Sequence, residues 1–151
     1  MRKQPATEMN SAEIVTVLSV SPMEEDGFSL QSIFNHSKWK LNKTDSLASA
    51  LAFLQARKTS VVFCERDLRP GTWSDLLEQI TRLPYAPAVI VSSRLADDRL
   101  WAEALNLGAW DVLAKPFEKS EVLRAVSTAW LHWRNKQKIP TRAMTLMKAA
   151  G

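Results

Sequence analysis

The chain contains one cysteine, Cys64, among 151 residues. An intrachain disulfide framework is therefore excluded, and the fold must rest on apolar burial, for which a chain of this length suffices. Cys64 ends the apolar run VVFC and reads as a small buried hydrophobe, in keeping with a reducing cytosol. Glycine is also scarce, at four residues. The segment SVSPMEEDG holds one of them amid three acids, so it lacks the glycine-rich loop that cradles phosphate and would repel an anion. The two histidines, His36 and His132, belong to no Ser-His-Asp or Cys-His pattern and read as surface or packing residues. No apolar run approaches the roughly 20 residues of a membrane span. The opening MRKQPATEMNSAE has no apolar stretch of the kind export requires. These absences point to a cytoplasmic protein without a membrane partner.

What is present is an ordinary globular composition, 46% hydrophobic and 24% charged. The net charge of +4 is unevenly distributed. Arg134, Lys136, Lys138, Arg142 and Lys148 follow Trp133 with no acid among them, which leaves 15 basic and 16 acidic residues for the rest. The basic character belongs to the end of the chain. With no helix-turn-helix pattern beside it, no specific nucleic-acid partner is expected.

Hydrophobic patterning divides the chain into a loose leader over residues 1–12, a folded body over 13–136 and a basic tail over 137–151. Short β-branched or apolar runs at 13–20, 39–44, 60–64, 87–93 and 110–117 predict strands. Between and after them, amphipathic segments predict helices. These run over 21–34, from an Asp45 or Ser46 cap through Lys58, over 72–83, over 97–108 with Gly108 as a left-handed C-terminal cap, and over 119–137 with Ser120 as the cap. Strict alternation of strand and helix predicts an α/β fold, a doubly wound five-stranded parallel sheet with flanking helices. The functional crevice of such a sheet lies beyond the carboxyl ends of its strands. The residues there are Ser21 and Pro22, Glu65, Ser92 and Ser93, and Lys115 with Pro116.

A carboxylate after strand three, a hydroxyl after strand four and Lys-Pro after strand five form a set. The motif NLGAWDVLAKPFEKSEVLRAV carries a Gly-Ala pair, an apolar pair, Lys-Pro-Phe and a capped helix. On these residues the body, over about 13–135, resembles the bacterial response-regulator receiver domain, with its flavodoxin-like fold. The resemblance implies a phosphorelay or two-component signalling role rather than an enzyme. It places the family's phosphoacceptor aspartate at Glu65 and its magnesium-holding acidic pair at Ser21 and Pro22. The hydroxyl that contacts the phosphoryl group falls at Ser93, the lysine at Lys115 and the aromatic switch residue at Val112.

The departures from the family pattern are chemical. Magnesium demands oxygen donors in octahedral geometry, and Ser21 and Pro22 supply a weak one and none, so magnesium and other metal cofactors are not expected. Glu24, Glu25 and Asp26 read as acids favoured at a helix start. Glutamate is a methylene longer than aspartate, a displacement larger than the ~1 Å that already costs about a hundredfold. The expected protein is a stand-alone pseudo-receiver that acts by protein contacts. Two alternatives are an active regulator phosphorylated on Glu65 or Asp67, and a flavodoxin-like domain binding a small ligand. Asp67 itself reads as a turn or solvated residue. Six tryptophans are many for this length. Trp101, Trp110, Trp130 and Trp133 fall on helix four, strand five and helix five, the receiver face used for partners, and predict a homodimer or protein-partner surface there. The tail, interrupted by Pro140, reads as a solvated terminus, with a short partner-docking helix as the alternative.

Overall fold

The computed structural model describes residues 14–137. The leader and the tail from residue 138 onward lie outside the described residues. The elements run β1 (Thr16–Val20), α1 (Glu24–Phe34), β2 (Lys40–Thr44), α2 (Leu47–Ala56), β3 (Val61–Glu65), α3 (Trp73–Thr81), β4 (Ala88–Ser93), α4 (Asp98–Asn106), β5 (Asp111–Ala114) and α5 (Lys119–Gln137). All strand pairings are parallel, in the order β2-β1-β3-β4-β5.

Alternation along the strands explains the two layers of helices. In β3, Val61 and Phe63 face one side of the sheet while Val62 and Cys64 face the other. The first set packs with Val17, Ile90 and Leu113 against Leu30 and Phe34 of α1 and Val122, Ala125, Val126 and Ala129 of α5. The second packs with Leu18, Val20, Val89 and Val91 against Ala50 and Leu54 of α2, Leu76, Leu77 and Ile80 of α3, and Leu100 and Ala104 of α4. Each fully buried aliphatic or aromatic side chain contributes roughly 1.5–3 kcal/mol relative to exposure. Cys64 is buried and free, and burial, then the nearby Glu65 charge, push its thiol up to about 12. It is an inert core residue.

The helix ends follow local chemistry. Ser46 and Ser49 form a reciprocal capping box on α2, and Thr72 and Asp75 form one on α3. Asp97 caps α4 through the Leu100 N–H. The expected Ser120 cap on α5 is corrected. Glu118 takes that role, its carboxylate accepting from the Glu121 N–H at 2.9 Å and from the Ser120 hydroxyl at 2.7 Å. Those two hydrogen bonds hold the Glu118 carboxyl below its usual value. Gly108 has φ +106°, the left-handed geometry expected at the end of α4. Strand β5 is shorter than the predicted 110–117, because the chain leaves the sheet at Lys115–Pro116.

Candidate functional site

Three backbone hydrogen bonds carry the sheet's pairing one residue past its strands. The Ser21 N–H donates to the Thr44 carbonyl, Arg66 N–H to Ser92, and Lys115 N–H to Ser93, at 3.0, 2.8 and 3.0 Å. They fix Ser21, Glu65, Ser93 and Lys115 side by side at the carboxyl edge. Strand order reverses between β1 and β3, so this edge is the switch point where a doubly wound sheet opens its crevice.

The centre of the site is Lys115. Its ammonium donates to both oxygens of Asp26, at 2.8 and 3.1 Å, and forms an ion pair with Oε1 of Glu65. The three side chains are only 6%, 6% and 1% exposed for Lys115, Asp26 and Glu65. Burial opposes the lysine charge, but the hydrogen bonds to Asp26 and Glu65 outweigh it and hold the Lys115 pKa above its ordinary 10.5. The remaining oxygens are also engaged. Glu65 Oε2 accepts from the Asp67 N–H at 2.7 Å, and Asp26 Oδ2 accepts from the Ser21 hydroxyl at 2.7 Å. Ser21 in turn accepts from the Met23 N–H, and Met23 Sδ lies 3.6 Å from the ammonium. One cation and two carboxylates thus share a nearly dry site with formal charge −1, in which each carboxylate oxygen has a partner.

The structure joins Glu65, Lys115 and Ser21, but through a residue the sequence reading assigned elsewhere. Asp26 lies in the first turn of α1, as expected of an acid at a helix start, but it does more than favour that end. It is buried on the sheet side of α1, whereas Glu24 and Glu25 are exposed and Glu25 pairs with Arg94 across the crevice at 3.0 Å. Ser93 is buried beside the cluster, its hydroxyl accepting from the Leu95 N–H at 3.0 Å. Pro22 is exposed, and Val112 is half-buried on β5. Asp67 is exposed and pairs with Arg66 at the surface.

The expected tryptophan surface divides in two. Trp101 is 52% exposed on α4. Trp110 stands at the head of β5, its indole N–H donating to Thr128 Oγ1 and its ring stacked on His132 with centroids 4.5 Å apart. Trp130 packs half-buried against the core, with the Arg134 guanidinium over its ring. Trp133 is 3% exposed. The outward stripe expected from Trp130 and Trp133 is therefore corrected: residues three apart share a helix face, and here that face turns inward with Val126 and Ala129. The outer side of α5 carries Arg124, Thr128, Leu131 and His132. Among the described residues, no helix is long and apolar enough to cross a membrane.

Comparison with known proteins gives the same architecture. The family model of the response regulator receiver domain matches residues 27–127. The chain is 29% identical over 92 residues to the sensory transduction protein LytR of Staphylococcus saprophyticus, a match covering 61% of this chain and 35% of that protein. It thus spans about a third of the length of this curated relative. Among solved structures, the signal receiver domain of an HD domain-containing protein from Pseudomonas fluorescens Pf-5 superposes with a TM-score of 0.77 at 24% identity, covering 84% of this chain and 94% of that one. The beryllofluoride-activated NtrC4 receiver domain dimer gives 0.73 at 20% identity, covering 78% and 98%. At these identities the structural likenesses establish the fold.

Proposed function

The chain belongs to the response regulator receiver domain family, and from that premise we propose that it is a receiver whose state is set by an internal ion cluster instead of a phosphoryl group. The observation that carries this reading is the Lys115 ammonium lodged between the buried carboxylates of Asp26 and Glu65. A nucleophilic carboxylate must reach its substrate. Glu65 is buried, with one oxygen against Lys115 and the other held by the Asp67 N–H.

The donor set does not fit the magnesium ion that the family's chemistry uses. Pro22 has no side-chain oxygen, the Ser21 hydroxyl is committed to Asp26, and Asp26 and Glu65 both bind an ammonium that a divalent ion would have to expel. Among the described residues, no group of three His, Cys, Asp or Glu side chains stands ready to hold a metal. Lys115 supplies the positive charge at this edge, and Glu65 supplies a fixed carboxylate, one methylene longer, where the family's aspartate transiently carries a phosphoryl group. The protein then transmits a two-component-type signal by protein contacts in the cytoplasm, without catalysis of its own. The surface we assign to those contacts is the α4–β5–α5 face, where Trp101 and Trp110 remain exposed.

Incubation with magnesium and acetyl phosphate, followed by intact-mass measurement, tests the reading. The expected result is no phosphoryl adduct. A stoichiometric adduct, mapped to Glu65 or to the exposed Asp67, overturns it and establishes an active receiver with an unorthodox acceptor.

A further inference from the structure

Magnesium fits poorly here because it is small, octahedral and reluctant to shed water, yet the atoms around the Lys115 ammonium are the donors of a cation site. Both oxygens of Asp26 lie near Nζ, at 2.8 and 3.1 Å, and Oε1 of Glu65 makes the third contact. Three carboxylate oxygens thus converge on one point, which a cation of the chain itself occupies. Their orientation does not depend on the lysine alone. The Ser21 hydroxyl donates to Asp26 Oδ2 and the Asp67 N–H to Glu65 Oε2, both at 2.7 Å. Outer hydrogen bonds of this kind are what orient the ligands of a metal.

A path leads to this point. A cavity of about 380 Å³ lies between α1, the β4–α4 loop and the β5–α5 loop, and both Asp26 and Lys115 line it. At roughly 30 Å³ per water, it has room for the several waters that complete the shell of an ion held by two side chains. Its exposed charged wall residues, Glu25 and Arg94, pair with each other, so no net charge there excludes a cation.

We propose that Lys115 plugs a latent cation site, in which Asp26 chelates with both oxygens and Glu65 with one, and that the ammonium is what keeps divalent ions out. A bidentate carboxylate and a flexible, partly aqueous shell suit calcium better than magnesium. On the ion-cluster reading, from which this follows, a receiver whose counter-cation belongs to its own chain holds the same state at any level of divalent ion.

The test is thermal unfolding of the full chain, followed by circular dichroism. Calcium chloride, magnesium chloride and, at matched ionic strength, sodium chloride are added to the wild type, to Lys115→Ala and to Lys115→Ala/Asp26→Asn. Calcium should raise the unfolding temperature of Lys115→Ala saturably, by roughly 5 °C at tenfold excess over its dissociation constant, and magnesium should raise it less. The wild type and the double variant should respond to calcium no more than to sodium. If Lys115→Ala is unfolded without calcium, because two carboxylates then face each other in a dry site, recovery of helical ellipticity on adding calcium is the expected result. A Lys115→Ala protein that calcium neither stabilises nor refolds overturns the proposal and leaves the ion-cluster reading standing. An equal response to sodium, an equal response of the double variant or a preference for magnesium also overturns it. A wild type that itself takes up calcium or magnesium saturably overturns both, because the ammonium then does not hold the site.

Discussion

Asp26, Leu30 and Phe34 are spaced four residues apart and share the face of α1 pressed against the sheet. That spacing was legible in the sequence, and applied to the acids it would have placed Asp26 inside while leaving Glu24 and Glu25 in solvent. The general rule that acids favour helix starts concealed it, since all three residues satisfy that rule equally. By contrast, Glu65 and Lys115 were legible as strand-end residues, although their ion pair depends on parallel strands joined only by the fold. Removing the lysine should expose the energetics. Lys115→Met leaves two buried carboxylates facing each other, and a broken buried pair costs about 3–5 kcal/mol. Asp26→Asn keeps the Lys115–Glu65 pair and should cost less, an order that urea unfolding at neutral pH checks. The pH dependence has a definite sign. Because the folded state raises the Lys115 pKa above 10.5, its contribution is complete below about pH 10.5 and is lost as pH rises through the raised value. Urea unfolding of the wild type should therefore show this contribution level through neutral pH and lost only in strong alkali, while Lys115→Met, with two facing buried carboxylates, should recover stability on acidification because a proton on one of them relieves the repulsion; a wild-type loss already near neutrality would show that another group controls it.

Elements were recovered wherever periodicity and caps agreed. The alternation in VVFC faces Val62 and Cys64 to one layer and Val61 and Phe63 to the other, which is why a short apolar run between two helical segments announces a strand covered on both sides. The capping box of α3 was less visible, because Thr72 and Asp75 follow Gly71, whose φ of +85° turns the chain into the helix. Thr72→Ala removes the acceptor for the Asp75 N–H and should cost about 1 kcal/mol, with Thr72→Ser close to wild type. Thermal unfolding measures both; equal losses would assign the effect to the threonine methyl rather than to the hydroxyl. Glu118 escaped notice for a related reason. A glutamate at a cap position is uncommon, and the neighbouring Ser120 is the more familiar residue type, yet it is the longer side chain that reaches the Glu121 N–H.

At the scale of the whole molecule, the order of strands and helices fixed the architecture, because right-handed crossovers leave few ways to wind five alternating units. Exposure was harder to read, since it depends on how deeply each helix sits. Trp133 and Trp101 are both tryptophans on amphipathic helices, but α5 presses its tryptophan inward while α4 leaves Trp101 in solvent. Trp101 and, at the end of the same helix, Leu107 are 52% and 50% exposed, and exposed apolar side chains of this kind are what interfaces cover. If the α4–β5–α5 face pairs two copies, a charge at its centre must be desolvated on association and should abolish the pairing. Trp101→Glu is the direct variant, because an exposed position tolerates the change without loss of fold. Phe28→Glu places the same charge on exposed α1, across the sheet, and serves as the control. Sedimentation velocity over a range of concentrations should show reversible dimerisation for the wild type and for Phe28→Glu, and a monomer for Trp101→Glu. A dimer lost in Phe28→Glu but kept in Trp101→Glu would move the interface to the α1 side, and a wild type monomeric at every concentration would reserve the tryptophan face for a different protein.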